Sequence, residues 1–190
     1  IAEARPSMGA WFSYGLGTEN DNLPGFVTIH PPSDLRTYGA GFLPALHQGT
    51  PLRVPRKKGE VAIADLVDSN ADPESQRRRL DFLQRSNQRL LDRVHTDAQM
   101  EGIIDSFELA FRMQAETPEI VDLSGESKST MAMYGINEGA SDVNGRAALM
   151  ARRLSESGVR FVQVTMDGWD HHGDILNALP RSCAGADKPI

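Results

Sequence analysis

The 190 residues carry 26 acidic against 20 basic side chains, a formal net charge of -6; that excludes a nucleic-acid partner, because phosphate binding needs clustered Lys and Arg. Hydrophobic residues make up 39% and charged residues 24%, the balance of an ordinary globular chain with a core rather than a disordered one. Cys183 is the single cysteine, so no internal disulfide forms, and no apolar run approaches the roughly 18 residues of a membrane span.

Residues 7–15 follow Pro6 and fit a short helix ending near Gly15 or Gly17. After a polar loop, Gly25 to His30 reads as a buried strand stopped by Pro31 and Pro32. Residues 33–72 hold much Gly and Pro without a sustained period and read as irregular structure. The short basic clusters Arg53–Lys58 and Arg77–Arg79 read as solvated surface. Asp72-Pro73-Glu74 opens a helix, along which Leu80, Leu83, Leu90, Leu91 and Val94 form a partial stripe. Met100, Ile103, Ile104, Phe107 and Phe111 follow the helical template on a second. The two are expected to pack as a hairpin across His95 to Ala98. A further turn of helix is expected at Pro118 to Leu123 and another at Ser127 to Tyr134. Ala147, Met150, Ala151 and Leu154 line one face of a helix from near Ser141 to Glu156, stopped by Gly158. Val159 to Met166 then reads as a second buried strand. That helix–Gly–strand succession marks an α/β protein. Asp187 and Pro189 resemble a helix start, and two strands are too few for a covered sheet, so the chain reads as part of a larger domain.

The turn after the second strand carries Asp167, Asp170, His171, His172 and Asp174. Carboxylate oxygen and neutral imidazole nitrogen are the usual ligands of a divalent metal, and α/β proteins build sites at the carboxyl ends of strands. The competing reading is a polar turn with exposed histidines.

Four segments together resemble a bacterial family, domain of unknown function 1501, taken as a sulfatase-like branch of the alkaline phosphatase superfamily. They are Arg5 to Gly17 with Asn22 to Val27, Gly41 to Thr50, Glu116 to Glu126, and Gly145-Arg146 through Val159 to Gly173. The resemblance implies a partial alkaline phosphatase/sulfatase-like three-layer α/β sandwich, a helix-rich middle fragment occupying residues 1–190 as a single incomplete domain. It implies a metal-dependent hydrolase of sulfate or phosphate esters, on a small-molecule or polysaccharide substrate, with an incomplete zinc, calcium or manganese site. It also implies a periplasmic or secreted location, although no targeting signal lies in this sequence; a homo-oligomer is a further expectation. The alternative is an exported binding or scaffold protein whose hydrolase site has degenerated.

By that resemblance Asp170 and His172 are metal ligands. His171 is a ligand, a proton donor to a leaving group, or solvated, and Asp167 orients a ligand histidine. Pro6-Ser7 echoes the sulfatase nucleophile segment, but Ala4 stands where the nucleophile would be and Met8 where an arginine would be. Ser7 is therefore a weak nucleophile candidate at a helix start, a position equally suited to an N-cap, the reading we favour. Arg5 is a candidate oxyanion binder. His47, Gln48 and Thr50 are polar groups able to line a pocket, within what is otherwise a structural loop. His30 reads as a structural histidine, and Trp11 and Trp169 as core residues more readily than as the frame of a sugar site.

Overall fold

The computed structural model describes residues 5–54, 72–94 and 98–190. Helix α1 (Met8–Leu16) begins where expected: Ser7 is extended and its Oγ accepts the Ala10 N–H at 3.4 Å. It stops at Gly17, whose positive φ of 67° turns the chain while its N–H closes on Ser13 O. Strand β1 (Phe26–Ile29) is buried along its whole length because it is the central strand of a parallel sheet ordered β2-β1-β3.

Strand β2 (Thr50–Leu52) lies in the stretch read as irregular. Three residues with Pro51 in the middle give no strand pattern. The edge position tolerates the proline, because the ladder bond runs from His30 N–H to Leu52 O and Pro51 turns its nitrogen away from β1. Strand β3 (Phe161–Val164) is shorter than expected and half-buried rather than buried, since it forms the other edge. Its register sets Phe26 opposite Phe161 and Ile29 opposite Val164.

Alternation along the strands assigns the two faces. Val27, Ile29, Val162 and Val164 pack with Ala147, Met150 and Leu154 of helix α5 (Asp142–Glu156), and Leu23, Leu52, Val54, Ile120 and Val159 complete that core. Phe26 and Phe161 meet edge-on at 5.2 Å on the opposite face, where Phe12 of α1 stacks 5.3 Å from Phe161. A small open sheet with helices against it is thus a mixed α/β fold, coarser than the sulfatase-type sandwich that was expected.

Helices α2 (Pro73–Val94) and α3 (Ala98–Val121) form the expected antiparallel-style pair, with their junction at 95–97 outside the described residues. Asp72 caps α2 by accepting the Ser75 N–H. Across the pair, Arg77 and Gln84 donate to Glu108 at 2.8 and 2.6 Å, and the Arg77 guanidinium lies over the Phe111 ring. The stripe is only partly covered: Leu80 is buried, but Leu83 and Phe107 are exposed. Helix α3 also continues through Pro118 rather than breaking there. Its last carbonyls are held by Arg153 of α5, which donates to Glu119 O and Ile120 O at 2.8 Å each.

Helix α4 (Lys128–Met133) falls within the turn expected at Ser127 to Tyr134, with Ser127 as its cap, beside a second small core of Leu123, Ile136 and Leu149. Helix α6 (Ile175–Ala186) was not foreseen. Pro180 interrupts its pattern, Asp174 makes no side-chain cap, and only Gly185 and Ala186 are buried. Asp187 therefore ends a helix instead of starting one. No helix of the described residues is long and apolar enough to cross a membrane.

Candidate functional site

The turn after β3 does not gather metal ligands. His172 Nδ1 and Asp170 Oδ1 lie 3.0 Å apart, but these side chains are 85% and 89% exposed and form a solvated pair. Among the described residues no group of three or more His, Cys, Asp or Glu side chains could hold a metal ion. A divalent ion needs at least three protein donors to compete with water at such a site. This corrects the expectation of a zinc, calcium or manganese cofactor bound by Asp170 and His172, and with it the metal-dependent sulfate or phosphate ester hydrolase. His171 turns the other way: its ring lies 6.5 Å from the Trp169 ring and its Nε2 is buried. Asp167 is exposed, and Asp174 accepts from Asn177 instead of serving a histidine.

Ser7, the nucleophile candidate, is buried and occupied as the α1 cap, and Arg5 is exposed beside it. His30 follows the central strand with a left-handed φ of 54° and is tied to β2 through its backbone.

The described residues instead bring polar chemistry together on the far side of α1. Two close approaches build the place. The Phe26 ring fits between Gly9 and Gly49, where added Cβ atoms would lie 2.5 and 2.8 Å from it. Helix α1 and the 3₁₀ turn Ala45–His47 thereby close over β1. Gly102 lets α3 approach the same turn, an added Cβ there lying 3.2 Å from Pro44. The result sets Ser13 Oγ 3.0 Å from His47 Nδ1, with the Tyr14 ring edge-on to the imidazole at 5.3 Å.

This pair lines a cavity of about 400 Å³ between α1, the 17–25 loop, the Ala45–His47 turn and α3. Leu23, Leu46 and Leu109 form its apolar lining, while Thr18, Asp21, Asp105 and Arg112 supply polar groups at its walls. Burial pushes the His47 imidazole below its ordinary value, so it is neutral at pH 7 and offers one donor and one acceptor nitrogen. Burial also pulls the Glu108 carboxyl upward, but the hydrogen bonds from Arg77 and Gln84 outweigh it and hold that group below its usual range. Glu108 is thus committed to the α2–α3 contact.

A serine and a histidine at hydrogen-bond distance are also the parts of a nucleophile and its base. Ser13 is 5% exposed in the second turn of α1, where the helix amides bond to the preceding turn rather than facing its hydroxyl. Of the three polar residues named from the sequence, His47 reaches the pocket, and Gln48 and Thr50 are not part of its lining. Sequence reading missed Ser13 altogether. A serine inside a helix gives no signal, and its partner lies 34 residues away.

The fold and site define a small parallel α/β unit, with a helical pair at one side and a polar side pocket beneath α1. The chain belongs to the protein family of unknown function DUF1501, whose model matches residues 2–190. No curated protein and no solved structure matches, and nothing ties the chain to the alkaline phosphatase superfamily.

Proposed function

We propose that this chain is a binding module that takes a small polar organic ligand in the cavity walled by Ser13 and His47. One observation carries the reading: a concave site of about 400 Å³ combines apolar floor residues with a convergent, half-buried hydrogen-bonding pair. That combination is what small-molecule sites share. Ser13 and His47 supply direction, Leu23, Leu46 and Leu109 exclude water, and Asp21, Asp105 and Arg112 set the charge at the mouth. A periplasmic or secreted location and self-association belong to the same proposal, and cell fractionation and light scattering test them.

The binding reading is tested by screening neutral, cationic and anionic polar metabolites against the full chain by thermal shift, then repeating the hits with Ser13→Ala and His47→Gln. A ligand acting here raises Tm in proportion to its concentration, and both substitutions remove the rise. Hits that stabilise all three proteins equally would place binding elsewhere.

A further inference from the structure

We infer that the pocket's ligand is a neutral oligosaccharide, with one unit in the cavity and the next units laid along Tyr14, Trp11 and Phe42; this rests on the binding reading above. The rings form a series of contacts that starts at His47, which lines the cavity. Tyr14 lies 5.3 Å from His47, Trp11 lies 6.1 Å from Tyr14, and Phe42 lies 5.8 Å from Trp11, all edge-on between centroids. These three side chains are 54%, 47% and 65% exposed. Trp11 and Tyr14 sit three residues apart on one helix face. A run of exposed rings on this scale marks an interaction surface, and Tyr and Trp provide rigid contact area at little entropic cost.

The chemistry at the inner end selects among occupants. A saccharide presents C–H faces to aromatic rings and hydroxyls to polar groups, and this surface offers both in sequence. Asp21 and Asp105 accept hydroxyl donors, while Ser13, Thr18, His47 and Arg112 donate or accept at the remaining positions. Glu108 also lines the cavity, but its two oxygens are already bonded to Arg77 and Gln84, so Asp21 and Asp105 are the main acceptors. Asp21, Asp105 and Glu108 face the single Arg112 in the lining, and even with Glu108 paired to Arg77 the remaining acidic excess repels a sulfate or phosphate group at close range. A neutral chain is therefore favoured over an anionic one. A peptide would meet the rings equally well, but it presents one backbone donor per residue, where a sugar unit presents several hydroxyls to Asp21, Asp105 and the Ser13–His47 pair at once.

The experiment titrates the full chain with a panel of neutral oligosaccharides built from glucose, xylose, mannose, galactose and N-acetylglucosamine, with sulfated forms of the same chains and with apolar peptides. Indole fluorescence and calorimetry are the readouts. Binding of at least one neutral series is expected to tighten from one to three units. Trp11→Ala and Asp105→Asn should each weaken it by about tenfold, while Trp169→Ala, remote from the rings described, leaves it unchanged. Circular dichroism of each variant confirms that the fold is retained. Tighter binding of the sulfated chain, binding of peptides only, or neutral binding indifferent to Trp11→Ala overturns the saccharide assignment. If no glycan binds while another polar ligand still loses its thermal shift in His47→Gln, the saccharide fails and the pocket stands. If nothing shifts, both fail.

Discussion

Replacing Gly9 by Ala probes the contact that brings α1 onto the sheet. In an open helix this change stabilises by about 1 kcal/mol, because alanine loses less backbone entropy. Here the new Cβ would lie 2.5 Å from Cε1 and Cζ of Phe26. That ring has little room to retreat: it is buried, its Cε1 lies so close to Gly49 that a Cβ added there would stand only 2.8 Å away, and Phe161 meets it edge-on. Overpacking of this kind costs about 1–3 kcal/mol, so Gly9→Ala is expected to destabilise the protein by about 1–2 kcal/mol after the helix gain is subtracted. In a Phe26→Leu background the two closest ring atoms are gone. The same change should then be neutral or stabilising by up to about 1 kcal/mol. Urea unfolding of the four proteins of this cycle gives the coupling directly, provided the m-value is constant. Equal effects of Gly9→Ala in both backgrounds, or a stabilising effect in the parent, would refute the clamped-ring packing.

Zinc, calcium or manganese added to the chelator-treated protein should leave Tm unchanged; a rise abolished by His172→Ala would reinstate the metal site after β3. Burial depresses the His47 pKa below 6.5, so between the two values the unfolded chain binds a proton that the folded chain does not. Stability should accordingly fall as pH drops through that window and level off below the folded pKa; the same unfolding series on His47→Gln should lack this slope. Asn20 donates to Ser157 O at 2.9 Å and accepts from Asn22 N at 2.8 Å, tying the 17–25 loop to the end of α5. Asn20→Ala should cost about 1–3 kcal/mol by denaturant unfolding, and a loss under 0.5 kcal/mol, an order-of-magnitude threshold for surface changes, would show the tie to be idle. Leu149 is fully buried between α5 and the Leu123–Ile136 cluster, and Leu149→Ala should cost about 2–5 kcal/mol in the same assay.

Elements with strong local chemistry were legible in the sequence. Ser7 and Gly17 mark the ends of α1, four β-branched or aromatic residues mark β1, and the Ala147–Met150–Leu154 stripe marks the core face of α5. Elements held by partners were not. Strand β2 exists because β1 offers it a ladder, and α6 forms despite Pro180 and a cap position without a side-chain bond. The site followed the same division. A dense Asp/His turn is conspicuous in sequence, yet the fold leaves its Asp170–His172 pair in solvent. The Ser13–His47 pair has no local signature, because it depends on three glycine approaches that bring α1, the Ala45–His47 turn and α3 together. Trp11 is exposed although its hydrophobicity suits a core, because hydrophobicity alone does not say which face of α1 the sheet occupies.

The binding assignment is most directly tested by mapping backbone and histidine-ring NMR shifts of the isotope-labelled full chain as a stabilising ligand is added. Saturable changes should concentrate at Ser13, Gly17, Leu46, His47, Asp105 and Leu109, with the 167–174 turn silent. Saturable changes centred on Asp170 to His172, with His47 unmoved, would contradict it.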